Sequence, residues 1–129
     1  MPRNITVSLK EDDPNSLAEL GEILGRAGIN LLGFCGVSTG TQDNLEVHTI
    51  HLVANDHDGA EAVLRAAGYI VRGDREVLVE DVGGGPGTAG VFFRKLADAN
   101  VKVDLVYITE DGHLVVGVND IEAARKATS

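Results

Sequence analysis

The 129-residue chain has no tryptophan, one cysteine and few aromatic residues, which make up 4% of it. A single thiol, Cys35, cannot build an intrachain disulfide framework. With so few rings, a core must be assembled from Val, Leu, Ile and Ala. Positive charge is also scarce: 11 Lys and Arg stand against 20 Asp and Glu, for a formal net charge of −9. That deficit argues against nucleic acid or an anionic membrane surface as a partner, because both are held by Lys/Arg clusters. No apolar run approaches the roughly 18 residues of a membrane span. The alternating pattern Ile5, Val7, Leu9 begins so soon after Met1 that a secretory leader does not fit, and a cytoplasmic protein is expected. The hydrophobic fraction of 43% is ordinary for a globular domain.

What the chain does contain is a repeat. Asp13-Pro14-Asn15-Ser16 opens a helical pattern that leaves through Ala27-Gly28-Ile29-Asn30. Gly85-Pro86-Gly87-Thr88 opens a second that leaves through Ala99-Asn100-Val101-Lys102, 72 residues on. Leu52 to Asp56 answers Val116 to Asp120 at an offset of 64, so the second copy has a hairpin shorter by eight residues. Each copy alone is marginal in size for an independent core.

Within the first copy, Asn4 to Leu9 alternates as a half-buried strand does. Ser16 with Glu19 three residues later has the spacing of a capping box, and Leu17, Leu20, Leu24 and Ala27 recur at helical spacing. Gly28 stops the helix at the left-handed position, and Asn100, the next-best residue there, stops its counterpart. Strands are expected over Ile29 to Ser38 and from Leu45 to Ala54, with Thr39 to Asn44 as the turn between them. A helix capped at Asp56 or Asp58 and a last strand from Tyr69 to Val71 follow. Arg72 to Arg75 is the one candidate linker. The second copy reads as a strand over Glu76 to Asp81, a glycine-rich loop and a helix with the stripe Ala89, Phe92, Phe93, Leu96. Strand Val101 to Thr109, an Asp111-Gly112 hairpin turn, strand Leu114 to Val118 and helix Ile121 to Ala127 complete it. The order β-α-β-β-α-β is ferredoxin-like. The predicted fold class is α+β: modules 1–73 and 74–129, the second lacking its last strand, in one extended antiparallel sheet with the helices on one face.

The chemistry-bearing residues point away from catalysis. His48 and His51 fall on opposite faces of a strand, His57 and His113 lie elsewhere, and no metal site or cofactor is expected. Cys35 has no base partner in the pattern, and Glu11-Asp12-Asp13 and Glu80-Asp81 read as solvated charges. Nothing resembles a nucleophile with an activating base. The Gly83 to Gly87 run is followed by no Gly-Lys-Ser/Thr, so it is not a phosphate-binding loop.

Taken in order, these loop entries, helix exits and the Asn55-Asp56 and Asn119-Asp120 pairs resemble the ACT domain family of regulatory modules of amino-acid metabolism. The junction from Gly68-Tyr69-Ile70-Val71 into Arg75-Glu76-Val77 is similar to that of stand-alone tandem members. The resemblance implies a free amino acid as ligand, held where two modules meet, and no enzymatic activity. It implies a site of Gly83, Gly84, Gly85, Gly87 and Thr88 facing Gly28, Ile29 and Asn30. The physical sense is that a glycine-rich turn entering a helix supplies N–H donors for a carboxylate, while an Asn offers both donor and acceptor. The second implied site sets Asp12, Asp13 and Asn15 against Asn100 and Lys102. Two carboxylates there would repel the ligand's own, so the first is favoured. The expected function is an amino-acid sensor that binds a regulated enzyme or changes its own assembly. The alternative is a ligand-free interaction or oligomerisation module. The open edge of the strand at Glu76 to Asp81 should be covered by Tyr69 to Val71 or by a second chain, and a homodimer is expected.

Overall fold

A computed structural model describes residues 1–10, 13–38 and 47–129. The chain divides into two compact units, Arg3–Arg75 and Met1–Pro2 with Glu76–Ser129. The first contains β1 (Arg3–Ser8), α1 (Ser16–Arg26), β2 (Leu31–Val37), β3 (Thr49–Ala54), α2 (His57–Ala66) and β4 (Ile70–Glu76). Its strands lie in the order β2-β3-β1-β4, the ferredoxin-like arrangement. The second contains β5 (Leu78–Glu80), α3 (Thr88–Asp98), β6 (Val103–Ile108), β7 (Leu114–Val118) and α4 (Ile121–Thr128), with sheet order β5-β7-β6. The α+β class and the repeated strand-helix order are as the sequence predicts.

Each unit has its own core. In the first, Ile5, Val7, Ile50 and Leu52 line one face of the sheet, and Leu20, Leu24, Ala60 and Leu64 of α1 and α2 pack onto it. In the second, Leu78, Leu114, Val116 and Val118 meet Phe92, Leu96 and Ala124 of α3 and α4. Fully burying one such Leu or Val side chain contributes about 1.5–3 kcal/mol.

The paired motifs are small hydrogen-bonded devices. At the exit of α1, Ile29 N–H donates to the Leu24 carbonyl (2.9 Å) and Gly28 N–H to that of Gly25 (3.0 Å). The exit of α3 repeats this with Val101 to Leu96 (2.9 Å) and Asn100 to Ala97 (2.9 Å). Both are Schellman motifs, with Gly28 at φ 72° and Asn100 at φ 58°. The Asn-Asp pairs divide their labour. Asn55 N–H donates to the Asn30 carbonyl (3.1 Å), and its Oδ1 accepts from Asn30 N–H (2.9 Å). Asn119 holds Lys102 the same way, at 3.0 and 2.9 Å. The Asp that follows caps the next helix: Asp56 accepts from Gly59 N–H and Asp120 from Ala123 N–H, each at 3.0 Å. Asn55→Ala deletes a side-chain acceptor at an exposed site. It should cost about 1 kcal/mol, read as a lower urea midpoint with an unchanged m-value.

Several details differ from the sequence reading. Ser16 is the first residue of α1 and not its cap; Asn15 precedes it with no side-chain cap bond. The Ser16 hydroxyl instead accepts from Lys10 N–H (2.8 Å), and Glu19 binds Lys10 Nζ (2.9 Å), so no capping box forms. With Ser16 turned inward, Leu17, about 100° further round the helix, is 45% exposed and outside the core. Arg72 to Arg75 is no linker but part of β4, beside β1. The last strand of the first module therefore runs from Ile70 to Glu76. The strands make two sheets and not one extended sheet, because β4 pairs beside β1 while β5 pairs with β7. Tyr69 to Val71 therefore does not cover β5. The Val77 N–H just before that strand donates to the Pro2 carbonyl (3.1 Å). Thr39 to Glu46, including the expected turn, lies outside the described residues.

Candidate functional site

The glycine-rich loop between β5 and α3 is built by its own backbone. Asp81 Oδ1 accepts from Gly83 N–H (2.9 Å), which turns the chain off the strand. Gly83, Gly84 and Gly87 then take φ of 87°, 67° and 82°, a region that strains residues carrying a β-carbon. The Thr88 hydroxyl donates to the Gly85 carbonyl (2.9 Å) and closes the loop on the helix. Gly87 caps α3 without a side chain, and the first turn carries no acid. Among the described residues, the N–H groups of Gly84, Gly85 and Gly87 have no partner. The loop thus presents free donors at the positive end of a helix, where a carboxylate is stabilised.

In the first module the residues just before α1 have partners of their own. Asp13 Oδ1 accepts from Asn15 N–H (3.0 Å), and the Asp13 carbonyl accepts from Ser16 N–H (3.0 Å). The Asp13 carboxylate, which would repel a ligand's own, takes the Asn15 donor itself. Asp12 lies outside the described residues. Asn100 and Lys102 are both exposed.

Gly28, Ile29 and Asn30 form the exit of α1 in the first unit, whereas Gly83 to Thr88 belong to the second. Gly28 and Asn30 are exposed. Ile29 is 8% exposed, and its side chain belongs to the first core. Asn30 is fixed by Asn55, a residue whose positioning role the sequence pattern did not reveal.

Beside the loop lies a pocket of about 320 Å³ lined by Glu80, Asp81, Val82, Thr88, Val91, Phe92, Lys95 and Thr128. Among the described residues Glu80 and Lys95 have no ion-pair partner. Val91 is 61% exposed. Glu80, Val91 and Lys95 were not legible as site residues. Comparing the copies at an offset of 72 would have flagged one of them, because Val91 stands where the first copy has Glu19.

A polar cluster elsewhere brings together residues that are distant in sequence. His57 Nε2 lies 3.0 Å from Asp74 Oδ2 and 3.7 Å from Glu61 Oε2. Arg3 takes the other Asp74 oxygen (2.7 Å), and Arg65 takes Glu61 Oε1 (2.8 Å). Partial burial raises the Asp74 pKa, but hydrogen bonds from Arg3 and His57 outweigh it and hold it at about 2. The donor set is one a metal could use. Both carboxylates are already neutralised by guanidinium groups, so the cluster works as an ion-pair network tying α2 and β1 to β4.

No protein-family model matches the chain, and neither does any curated protein. Solved structures do. A Bacteroides thetaiotaomicron protein superposes with TM-score 0.78 at 18% identity, over 98% of this chain and 83% of its own. The ligand-free regulatory subunit of aspartate kinase from Thermus thermophilus gives 0.62 at 16% identity, over 98% and 88%. E. coli aspartokinase III in complex with lysine and aspartate gives 0.53 at 16%, over 98% of this chain and 29% of that one. At these identities the likeness is one of fold, and the ACT-like fold expected from the sequence stands.

Proposed function

We propose that the protein is a regulatory module that binds a free amino acid and has no catalytic activity of its own. Its two modules, 1–73 and 74–129, would hold the ligand between them. In this reading Gly84, Gly85 and Gly87 bind the α-carboxylate, and Asn30, with the exit of α1 around Gly28 and Ile29, binds the ammonium. The carrying observation is the run of unpartnered N–H groups at the start of α3; in the first module the Asp13 carboxylate takes the Asn15 N–H, which corresponds to that of Gly87. The fold shared with regulatory subunits of aspartate kinase supports a partner enzyme. A second reading, a ligand-free assembly module forming a homodimer, is favoured by Phe34 (56% exposed) on β2 and Ile108 (63%) on β6, both outermost strands of their sheets.

A thermal-shift panel of the amino acids tests the proposal. One of them should raise the melting temperature with a dose dependence that saturates. Asn30→Ala should weaken that ligand about tenfold or more, the loss of one hydrogen bond to a charged group, and Lys102→Ala should weaken it less. No response to any amino acid, with dimer formation in sedimentation, would replace the sensor with the assembly module. Loss of binding in Lys102→Ala alone would move the site to the other loop.

A further inference from the structure

Arg72 stands apart among the charged side chains of the first module. Its Nε donates to the Ser8 hydroxyl oxygen, and among the described residues its two terminal nitrogens have no partner. Arg3, Arg26 and Arg65 of the same module each hold a carboxylate. In a chain with 20 acids against 11 Lys and Arg, a guanidinium left without an acid is unexpected.

The surroundings of Arg72 are equally short of acceptors. Val7 and Ile50 enter the first core. Their neighbours Ser8 and Thr49 therefore point to the opposite face of the sheet, where they stand in direct register across β1 and β3. Arg72 of β4 joins them on that face through Ser8. These three and His48 line a pocket of about 350 Å³ whose lining contains no Asp or Glu. Ser8 accepts from Arg72, which leaves its hydroxyl proton for another acceptor. The Thr49 hydroxyl and the His48 ring have no hydrogen-bond partner among the described residues. Lys10 lines the pocket too, but its ammonium is bound to Glu19 (2.9 Å), so the uncompensated charge is that of Arg72.

This set of donors selects a ligand. A guanidinium fork by itself satisfies the two oxygens of a carboxylate. Here two hydroxyls and an imidazole surround the fork, enough for the three terminal oxygens of a phosphate. The volume is at the small end of the range for ligand pockets. Leu9 and Ile70, the latter 58% exposed, add an apolar wall beside the donors, with room for a short carbon skeleton.

We infer that this pocket binds a phosphate group, as the free ion or as the monoester of a small metabolite. Arg72 takes two of its oxygens, and the Ser8 and Thr49 hydroxyls take the third. The site lies wholly within the first module, shares no residue with the amino-acid site proposed above, and stands or falls independently of it.

Calorimetric titration of the full chain at low ionic strength with inorganic phosphate, glycerol 3-phosphate, acetate and glycerol tests it. At least one phosphate probe should bind tenfold or more tightly than acetate, and glycerol should not bind. Tighter binding of glycerol 3-phosphate than of inorganic phosphate identifies a monoester site, and the reverse order a site for the free ion. Arg72→Gln should weaken the tighter probe about tenfold or more, the loss of a hydrogen bond to a charged group, while keeping the parent's circular dichroism spectrum. Arg72→Lys should not restore it, because an ammonium lacks the fork. Thr49→Val removes one hydroxyl at nearly constant shape and should weaken binding about fivefold. Arg26→Gln removes a cation paired with Glu22 on α1 and should leave the affinity unchanged. Acetate binding as tightly as both phosphate probes, or unchanged affinity in Arg72→Gln, overturns the assignment. An equal loss in Arg26→Gln also overturns it, by showing that only net charge is felt. So does the absence of binding by either phosphate probe, in calorimetry and in phosphorus NMR line widths alike.

Discussion

Leu20→Asp should remove most of the stability of the first module. Leu20 is 2% exposed and sits in the core between α1 and the sheet. The substitution forfeits about 1.5–3 kcal/mol of apolar burial and adds the cost of placing a carboxyl among Ile, Leu and Val side chains with no partner. A loss of about 4 kcal/mol or more is expected, against a total of about 5–15 kcal/mol for a typical domain. Leu17→Asp is the matched control. It lies on the same helix but is 45% exposed, and its cost should stay within about 0.5 kcal/mol. Urea unfolding followed by circular dichroism reads both. A Leu20→Asp variant with the parent's midpoint would refute the core assignment, and a costly Leu17→Asp would mean that α1 is rotated from the position described.

Tyr69→Ala should be nearly as damaging, at about 3–5 kcal/mol, the range for removing a large buried aromatic. The loss combines the apolar area, a cavity and the hydroxyl's bond to the Ser16 carbonyl. Tyr69→Phe isolates the last of these and should cost about 1 kcal/mol. Thermal unfolding of the two variants separates ring from hydroxyl. Should alanine and phenylalanine cost the same, the ring's packing contributes nothing to the first core.

The features legible in the sequence are those whose hydrogen bonds close over a few residues. The stops at Gly28 and Asn100 need only the last turn of each helix, and the caps at Asp56 and Asp120 need only an amide three residues on. The glycine-rich loop is of the same kind: Asp81 to Gly83 and Thr88 to Gly85 are local contacts, so its identification as an open, donor-bearing turn required no tertiary information. The alternation of Ile5 with Val7 marked a buried face because side chains alternate along a strand.

The misread features depend on partners far along the chain. Arg72-Gly73-Asp74-Arg75 has the composition of a linker, yet it forms a strand because β1 lies beside it. Arg72 reaches Ser8 (2.5 Å), and Asp74 reaches Arg3 (2.7 Å), 64 and 71 residues away. Ser16 and Glu19 have the spacing of a capping box, but Lys10 claims both side chains, and that choice rotates Leu17 out of the core. His57 and Glu61 are neighbours one turn apart on α2, but Asp74 of β4 joins them only through tertiary packing.

From its sequence alone this chain was determined to be two copies of one β-α-β-β-α unit with a donor-rich loop in the second, because periodicity, turns and helix ends are set by neighbours within a turn or two. How Tyr69 is used was decided by the tertiary structure: it reaches the Ser16 carbonyl only after two helices and three strands have packed, because its partner lies 53 residues away.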